Sequence, residues 1–269
     1  MADGRAIPRI GMGTWPLDND GADAAVAESL RIGYRLVDTA AAYGNEAGVG
    51  RAIRESGVPR DEIFVTTKLP GAQHGYREAI AALDESLARL GLDHVDLYLI
   101  HWPQPTIGRY VETWEAFVEL REQGKARSIG VSNFTPAQIE EAAEATGVVP
   151  AVNQVELHPE FSQRELRAWH EEHSIVTESY SPLGPDTDIL AHPTIADIGT
   201  AHGRTAAQVI LRWHVQIGAV PIPKSARPER LRQNIDVFDF ELAADEMDAI
   251  AGLDSGNRTG GDPETTVEL

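Results

Sequence analysis

At five places in the sequence a short apolar run ends on a side chain that can carry charge or move a proton: Asp38, Lys68, His101, the pair Ser132-Asn133 and the pair Lys224-Ser225. Tyr43 follows Asp38 within the segment Asp38-Thr39-Ala40-Ala41-Ala42-Tyr43-Gly44-Asn45-Glu46. A carboxylate, an ammonium, an imidazole and a phenol gathered in one cleft would do acid–base chemistry. A phenol is a poor acid near neutral pH, with a reference pKa of about 10, and an ammonium beside it favours the ionised form and so eases release of the proton. The chain has no cysteine, which excludes a thiolate nucleophile, a disulfide framework and cysteine-ligated metal, and leaves oxygen and nitrogen groups to do the work.

These groups lie far apart in the chain, so a scaffold has to bring the ends of several elements together. Residues 10–14, 35–38, 63–68, 95–101, 128–132, 152–158, 176–181 and 220–224 read as strands. Between and after them, 22–32, 47–55, 76–90, 110–122, 136–145, 163–173, 206–216, 228–234 and 243–251 read as helices. Ile80, Leu83 and Leu87 share one helical face, so the helix at 76–90 packs by one side. Strands alternating with helices predict parallel βα units, and eight of them fit a (β/α)8 barrel, a fold that takes about 250 residues as one domain. Residues 1–269 are therefore expected to form a single α/β barrel domain, with a doubly wound sheet as the competing fold of the same rhythm. In a barrel the active groups gather at the C-terminal ends of the strands, where Asp38, Lys68 and His101 fall. The tail from 254 onward is rich in Gly, Asp, Thr and Pro and reads as loop.

Several weaker signals need a plain reading beside a sharp one. Gly11-Met12-Gly13 and Gly48-Val49-Gly50 begin like a dinucleotide fingerprint, but neither completes G-x-G-x-x-G, so no Rossmann domain is expected. His170-Glu171-Glu172-His173 lacks the i, i+4 histidine spacing of a helical zinc site and reads as a solvated helix face. Trp114, Trp169 and Trp213 lie inside helical stretches and are expected in the core, whereas Trp15 and Trp102, beside strand ends, are expected to wall a pocket.

A formal charge of -19 repels a phosphate backbone, which argues against nucleic acid as a partner. The polar start Ala2-Asp3-Gly4-Arg5 and the lack of about 18 consecutive apolar residues argue against export and membrane insertion, so a cytoplasmic protein is expected. Of the 23 basic residues only Lys68, Lys125 and Lys224 are lysines. Codon bias and a salt-adapted acidic surface both account for that imbalance.

The ordered motifs together identify a resemblance over almost the whole chain. Gly11-Met12-Gly13-Thr14-Trp15, the Asp38 to Glu46 segment, Thr67-Lys68, Leu99-Ile100-His101-Trp102-Pro103, Gly130-Val131-Ser132-Asn133-Phe134, Asn153-Gln154, Tyr180-Ser181-Pro182-Leu183-Gly184 and Ile222-Pro223-Lys224-Ser225 resemble the aldo-keto reductase family. Within that family the chain is closest in character to the 2,5-diketo-D-gluconate reductase-like branch. The resemblance implies a metal-free tetrad of Asp38, Tyr43, Lys68 and His101, with Tyr43 as proton donor and His101 donating to the substrate oxygen. It implies NADPH as cofactor, with Ser132, Asn133 and Gln154 at the nicotinamide carboxamide and Tyr180 stacked on the ring. Ser181, Leu183 and Gly184 would line the pyrophosphate, while Lys224, Ser225 and Arg230 would hold the 2′-phosphate and Asn234 the adenine. Gln233 departs from the Glu that many relatives carry.

The function so implied is reduction of small or sugar-like carbonyl compounds by a monomer, with Trp15, Trp102 and His101 at the substrate. The short segment after His101 and the short tail suggest an open, permissive pocket. A catalytically weak NADPH-binding barrel used as a regulatory or sensing subunit is the alternative, and turnover separates the two. A metal-dependent barrel isomerase or hydrolase would need carboxylate and histidine ligands where Lys68 and Tyr43 stand.

Overall fold

The computed structural model describes residues 1–268. Eight parallel strands follow one another around a sheet in chain order: β1 (Met12–Gly13), β2 (Leu36–Asp38), β3 (Phe64–Leu69), β4 (Val95–Ile100), β5 (Ala126–Ser132), β6 (Val152–Glu156), β7 (Val176–Tyr180) and β8 (Val220–Pro221). That sequential order is a (β/α)8 barrel and excludes the doubly wound alternative, whose strand order reverses at a switch point. The ring closes where the amides of Gly11 and Gly13 donate to the carbonyls of Pro221 and Pro223, at 3.0 and 3.2 Å. A Cβ on Gly13 would lie 2.7 Å from the carbonyl oxygen of Ile222, so a side chain at this position would hold the seam apart.

The helices are α1 (Asn19–Arg31), α2 (Glu46–Glu55), α3 (Tyr76–Leu90), α4 (Tyr110–Glu122), α5 (Pro136–Thr146), α6 (Arg164–Glu172), α7 (Pro193–His202), α8 (Ala206–Gln216), α9 (Pro228–Ile235) and α10 (Ala244–Ala251). Thr135 and Thr205 start α5 and α8 with capping boxes that each use the glutamine at the third helical position, Gln138 or Gln208. Gly91, Gly147 and Gly203 end α3, α5 and α7 in the left-handed conformation that stops a helix. Apolar faces of α1 to α5 pack on β2 to β5 around Val65, Tyr98, Phe117 and Trp114, while α7, α8 and α10 close a second cluster around Trp213.

Four points of the sequence reading need correction. The outer strands are shorter than 10–14 and 220–224, because Pro221 and Pro223 carry no N–H to continue a ladder. Helix α7 has no counterpart in the sequence reading, since Pro193, Thr194 and Gly199 give its short stretch a low helix propensity. His170 is buried rather than solvated: its ring nitrogens lie 3.0 Å from Asn153 Nδ2 and 2.9 Å from Thr177 Oγ1, and burial pushes its pKa down to about 4. Glu171, Glu172 and His173 do face solvent. Trp114 and Trp213 are core residues, whereas Trp169 is only half-buried and stacks on His173. Gly50 serves packing: a Cβ there would lie 1.9 Å from the carbonyl oxygen of Leu90, where α2 meets the end of α3. Among the described residues no helix is long and apolar enough to cross a membrane.

Candidate active site

Asp38 closes β2, Lys68 is the penultimate residue of β3 and His101 directly follows β4, so all three reach the same end of the barrel. Tyr43 ends a one-turn 3-10 helix (Ala41–Tyr43) between β2 and α2. That loop is pinned by Asn45, which is buried, accepts from Thr39 Oγ1 at 2.6 Å and donates to the carbonyl of Leu17 at 2.8 Å. Glu46 pins its far end by accepting from Thr67 Oγ1 and Arg89 Nε, each at 2.6 Å.

Lys68 is fully buried, and its ammonium donates to Asp38 Oδ1 at 2.6 Å, the carbonyl of Thr39 at 3.1 Å and Tyr43 Oη at 3.2 Å. Three donors meet three acceptors. Burial is the largest influence on Lys68 and opposes its charge, but the neighbouring Asp38 and Tyr43 reverse the balance and the lysine holds its proton more tightly than usual. For Tyr43 burial is again largest and keeps the phenol protonated, with Lys68 pulling the other way. The sequence argument that an ammonium acidifies this tyrosine therefore describes the weaker of two opposed effects. Tyr43 sits as a protonated phenol, the form that can donate, with a cation placed to stabilise the phenolate once the proton has left. The His101 ring meets that of Tyr43 edge-on, with centroids 5.8 Å apart.

A second layer rises from β5, β6 and β7. Gln154 Nε2 donates to Asp38 Oδ2 and to Glu178 Oε2, both at 2.8 Å. Asn133 Nδ2 donates to the carbonyl of His101 at 3.1 Å, and its Oδ1 accepts from Tyr180 Oη at 2.9 Å. Ser132 Oγ donates to the carbonyl of Gln154 at 2.8 Å. Glu178 is fully buried, and burial together with the charge of Asp38 raises its pKa to about 8.

Asp38, Tyr43, His101, Asn133, Gln154 and Tyr180 face a cavity of about 660 Å³. Trp15, Trp102, Ser181, Leu183 and Lys224 also line it. Ser225 and Asn234 are buried and Arg230 is exposed on α9, all outside the cavity wall, as are Ser132 and Gly184. Among the described residues Lys224, Arg227 and Arg230 have no carboxylate within 4.0 Å, so the N-terminal end of α9 presents unpaired cations in a strongly acidic protein. These residues fit a phosphorylated nicotinamide cofactor. Gln154 Oε1 accepts from no other group among the described residues, and so remains open to an amide donor.

The tail contributes residues that the sequence reading did not assign. Thr259, Gly260 and Gly261 line the cavity, so the short tail folds back over a pocket expected to be open. Glu156 anchors it there by accepting from Thr259 N, Thr259 Oγ1 and Gly260 N at 2.7 to 2.8 Å. Burial alone would raise the Glu156 pKa, but these bonds and His158 bring it down to about 2. Glu178 was within reach of strand alternation, since it shares its face of β7 with Tyr180 and so points into the barrel. The tail contacts had no such signal.

The sequence model of the Aldo/keto reductase family matches residues 9–255. The chain is 52% identical to 2,5-diketo-D-gluconic acid reductase B of a Corynebacterium species, covering 100% of this chain and 97% of that protein. Among solved structures, a mutant of Gox0644 in complex with NADPH shares 48% identity at a TM-score of 0.94, covering 98% of this chain and 96% of that one. The Bombyx mori aldo-keto reductase in complex with NADP shares 37% identity at a TM-score of 0.90, covering 95% and 92%.

Proposed function

The chain belongs to the aldo/keto reductase family, and on that premise we propose that it reduces aldehydes or ketones to alcohols with NADPH, Tyr43 supplying the proton. The observation that carries this reading is Lys68 Nζ, fully buried, between Asp38 at 2.6 Å and Tyr43 Oη at 3.2 Å, with the phenol opening into the cavity. NADPH supplies the hydride. Tyr43 donates its proton to the oxygen that becomes the hydroxyl, and Lys68 stabilises the phenolate left behind. Asp38 keeps the ammonium aimed, and Gln154 keeps Asp38 aimed in turn. His101, edge-on to the Tyr43 ring, orients the substrate oxygen.

Gln154, with Ser132 and Asn133, would hold the carboxamide, and Tyr180 would stack on the ring and fix which face meets the substrate. Ser181, Leu183 and Gly184 would follow the pyrophosphate. Lys224, Ser225 and Arg230 would hold the 2′-phosphate, where a guanidinium gives charge-assisted bonds, and Asn234 would reach the adenine. Trp15 and Trp102 would wall the substrate end. The preferred substrates are small or sugar-like carbonyl compounds, a reading supported by the identity with the Corynebacterium reductase and by the polar Thr259 to Gly261 edge of the cavity. Measuring NADPH oxidation over a panel of aldehydes, ketones and diketo sugar acids tests it. Binding of NADPH without turnover of any of them would favour a sensing role and defeat the proposal.

A further inference from the structure

The last described residue, Glu268, reaches back to the catalytic end of the barrel, and three residues hold it there. Its Oε1 lies 2.7 Å from His101 Nδ1, its Oε2 accepts from the amide of Gly71 at 3.0 Å, and its carbonyl accepts from Gln104 Nε2 at 2.7 Å. Gly71 belongs to the loop after β3, and Gln104, fully buried, to the loop after β4. The fit at Gly71 is tight, since a Cβ there would lie 2.5 Å from the Glu268 carbonyl oxygen.

We propose that Glu268 is a positioning residue: its carboxylate keeps a proton on Nδ1 of His101 and fixes the imidazole so that Nε2 is the atom presented to substrate. The contact lies off the ideal N–H direction, so it acts chiefly as a charge contact. A carboxylate only accepts, and its negative oxygen 2.7 Å from Nδ1 favours the tautomer that carries the proton, and with it the positive end of the ring dipole, on that nitrogen. The Nδ1 edge is buried, whereas His101 lines the cavity, so Nε2 is the nitrogen left to face it. In the singly protonated ring Nε2 then accepts from an alcohol. In the doubly protonated ring it donates to a carbonyl oxygen, with Glu268 as counter-ion. Carboxylates behind functional histidines set the tautomer in this way elsewhere. His74 also lies in the field of Glu268, but burial pushes its pKa down to about 4.

The inference rests on the role given to His101 above, and the experiment separates the two. Histidine-selective 15N spectra of the whole protein at neutral pH should show Nδ1 of His101 protonated, and in Glu268→Leu the proton should move to Nε2. Glu268→Leu should lower kcat roughly tenfold or more for oxidation of a small alcohol, the direction in which Nε2 has to accept, with the affinity for NADP+ changed less than twofold. Added formate should restore part of the loss in a chain ending at residue 267, as Glu268→Asp should in part. A wild-type His101 protonated at Nε2 alone overturns the proposal, and so does a loss that neither formate nor Glu268→Asp repairs, because the tail would then act by packing. Full kcat in Glu268→Leu overturns it if His101→Ala is inactive. If His101→Ala is equally active, the role of His101 itself is what fails.

Discussion

Asp38 and Glu178 share a single donor: the amide nitrogen of Gln154 lies 2.8 Å from a carboxyl oxygen of each. Two carboxyls bridged in a buried barrel interior with one ammonium do not both ionise without cost. Asp38 has the ammonium of Lys68 against it, and Glu178 is the one that keeps its proton, with a pKa raised from 4.5 to about 8.

A pH dependence of stability follows. A carboxyl whose folded pKa is raised favours the fold fully below the unfolded value and loses that contribution as pH rises to the folded one, here from 4.5 to about 8. Within that window the slope is at most about 1.4 kcal/mol per pH unit for the single proton involved. Glu178→Gln removes the titration, so its stability relative to wild type should improve from pH 5 to pH 8. Urea melts at both ends of the range measure this, and a constant difference between the two proteins would refute the assignment.

Tyr43→Phe keeps the ring and removes the positioned acid, so NADPH-dependent reduction should fall by roughly 100-fold to 10,000-fold. NADPH binding should survive. Lys68→Met should lose activity to a similar degree, because a phenolate would form without its cation, and the double variant should be little worse than either single one. Steady-state oxidation of NADPH and a cofactor titration on all three variants decide it. Wild-type turnover in Tyr43→Phe would place the proton source elsewhere.

Cofactor preference should depend on Arg230, one of the unpaired cations at the start of α9. Arg230→Ala should weaken NADPH binding, by about tenfold if the lost bond is worth ~1.4 kcal/mol, and leave NADH binding nearly unchanged. Equal affinity of the unaltered protein for the two cofactors would show that nothing here reads the 2′-phosphate.

Salt should stabilise the protein if the acidic surface is an adaptation to it. With 42 acidic and 23 basic residues, screening relieves net repulsion, and the melting temperature should rise from dilute buffer to molar potassium chloride. An unchanged melting temperature would leave codon bias as the explanation for the scarcity of lysine.

The sequence made the barrel legible because short β-branched or apolar runs lead to Asp38, Lys68 and His101 at or just past the ends of β2, β3 and β4, and α3, α4 and α8 fall at 76–90, 110–122 and 206–216 as their periodicity predicts. Asp38, Tyr43, Lys68 and His101 were legible for the same reason, each standing at or just past a strand end. His170 was misread because the neighbouring Glu171, Glu172 and His173 are exposed, and only the register of α6 on the barrel turns that one ring inward to Asn153 and Thr177. The tail was legible only as loop. Its contacts join Thr259 to Glu156 and Glu268 to Gly71, pairs more than a hundred residues apart whose meeting depends on the closed barrel.

The closure of that barrel also sets where it breathes. Gly11 and Gly13 supply the two amides that cross from the first strand to the last, and Pro221 and Pro223 have none to return, while Ile222 N turns to Ser179 on the other side. Hydrogen exchange at Gly11 and Gly13 therefore reports opening of a join whose amides come from one side, whereas β4 and β5 meet over five residue pairs. Gly13 and Lys224 both border the cavity, on either side of this join. A ligand lying from Tyr43 to Lys224 bridges it, so occupancy of the pocket should be readable as slowed exchange at two backbone amides that never touch the reacting atoms.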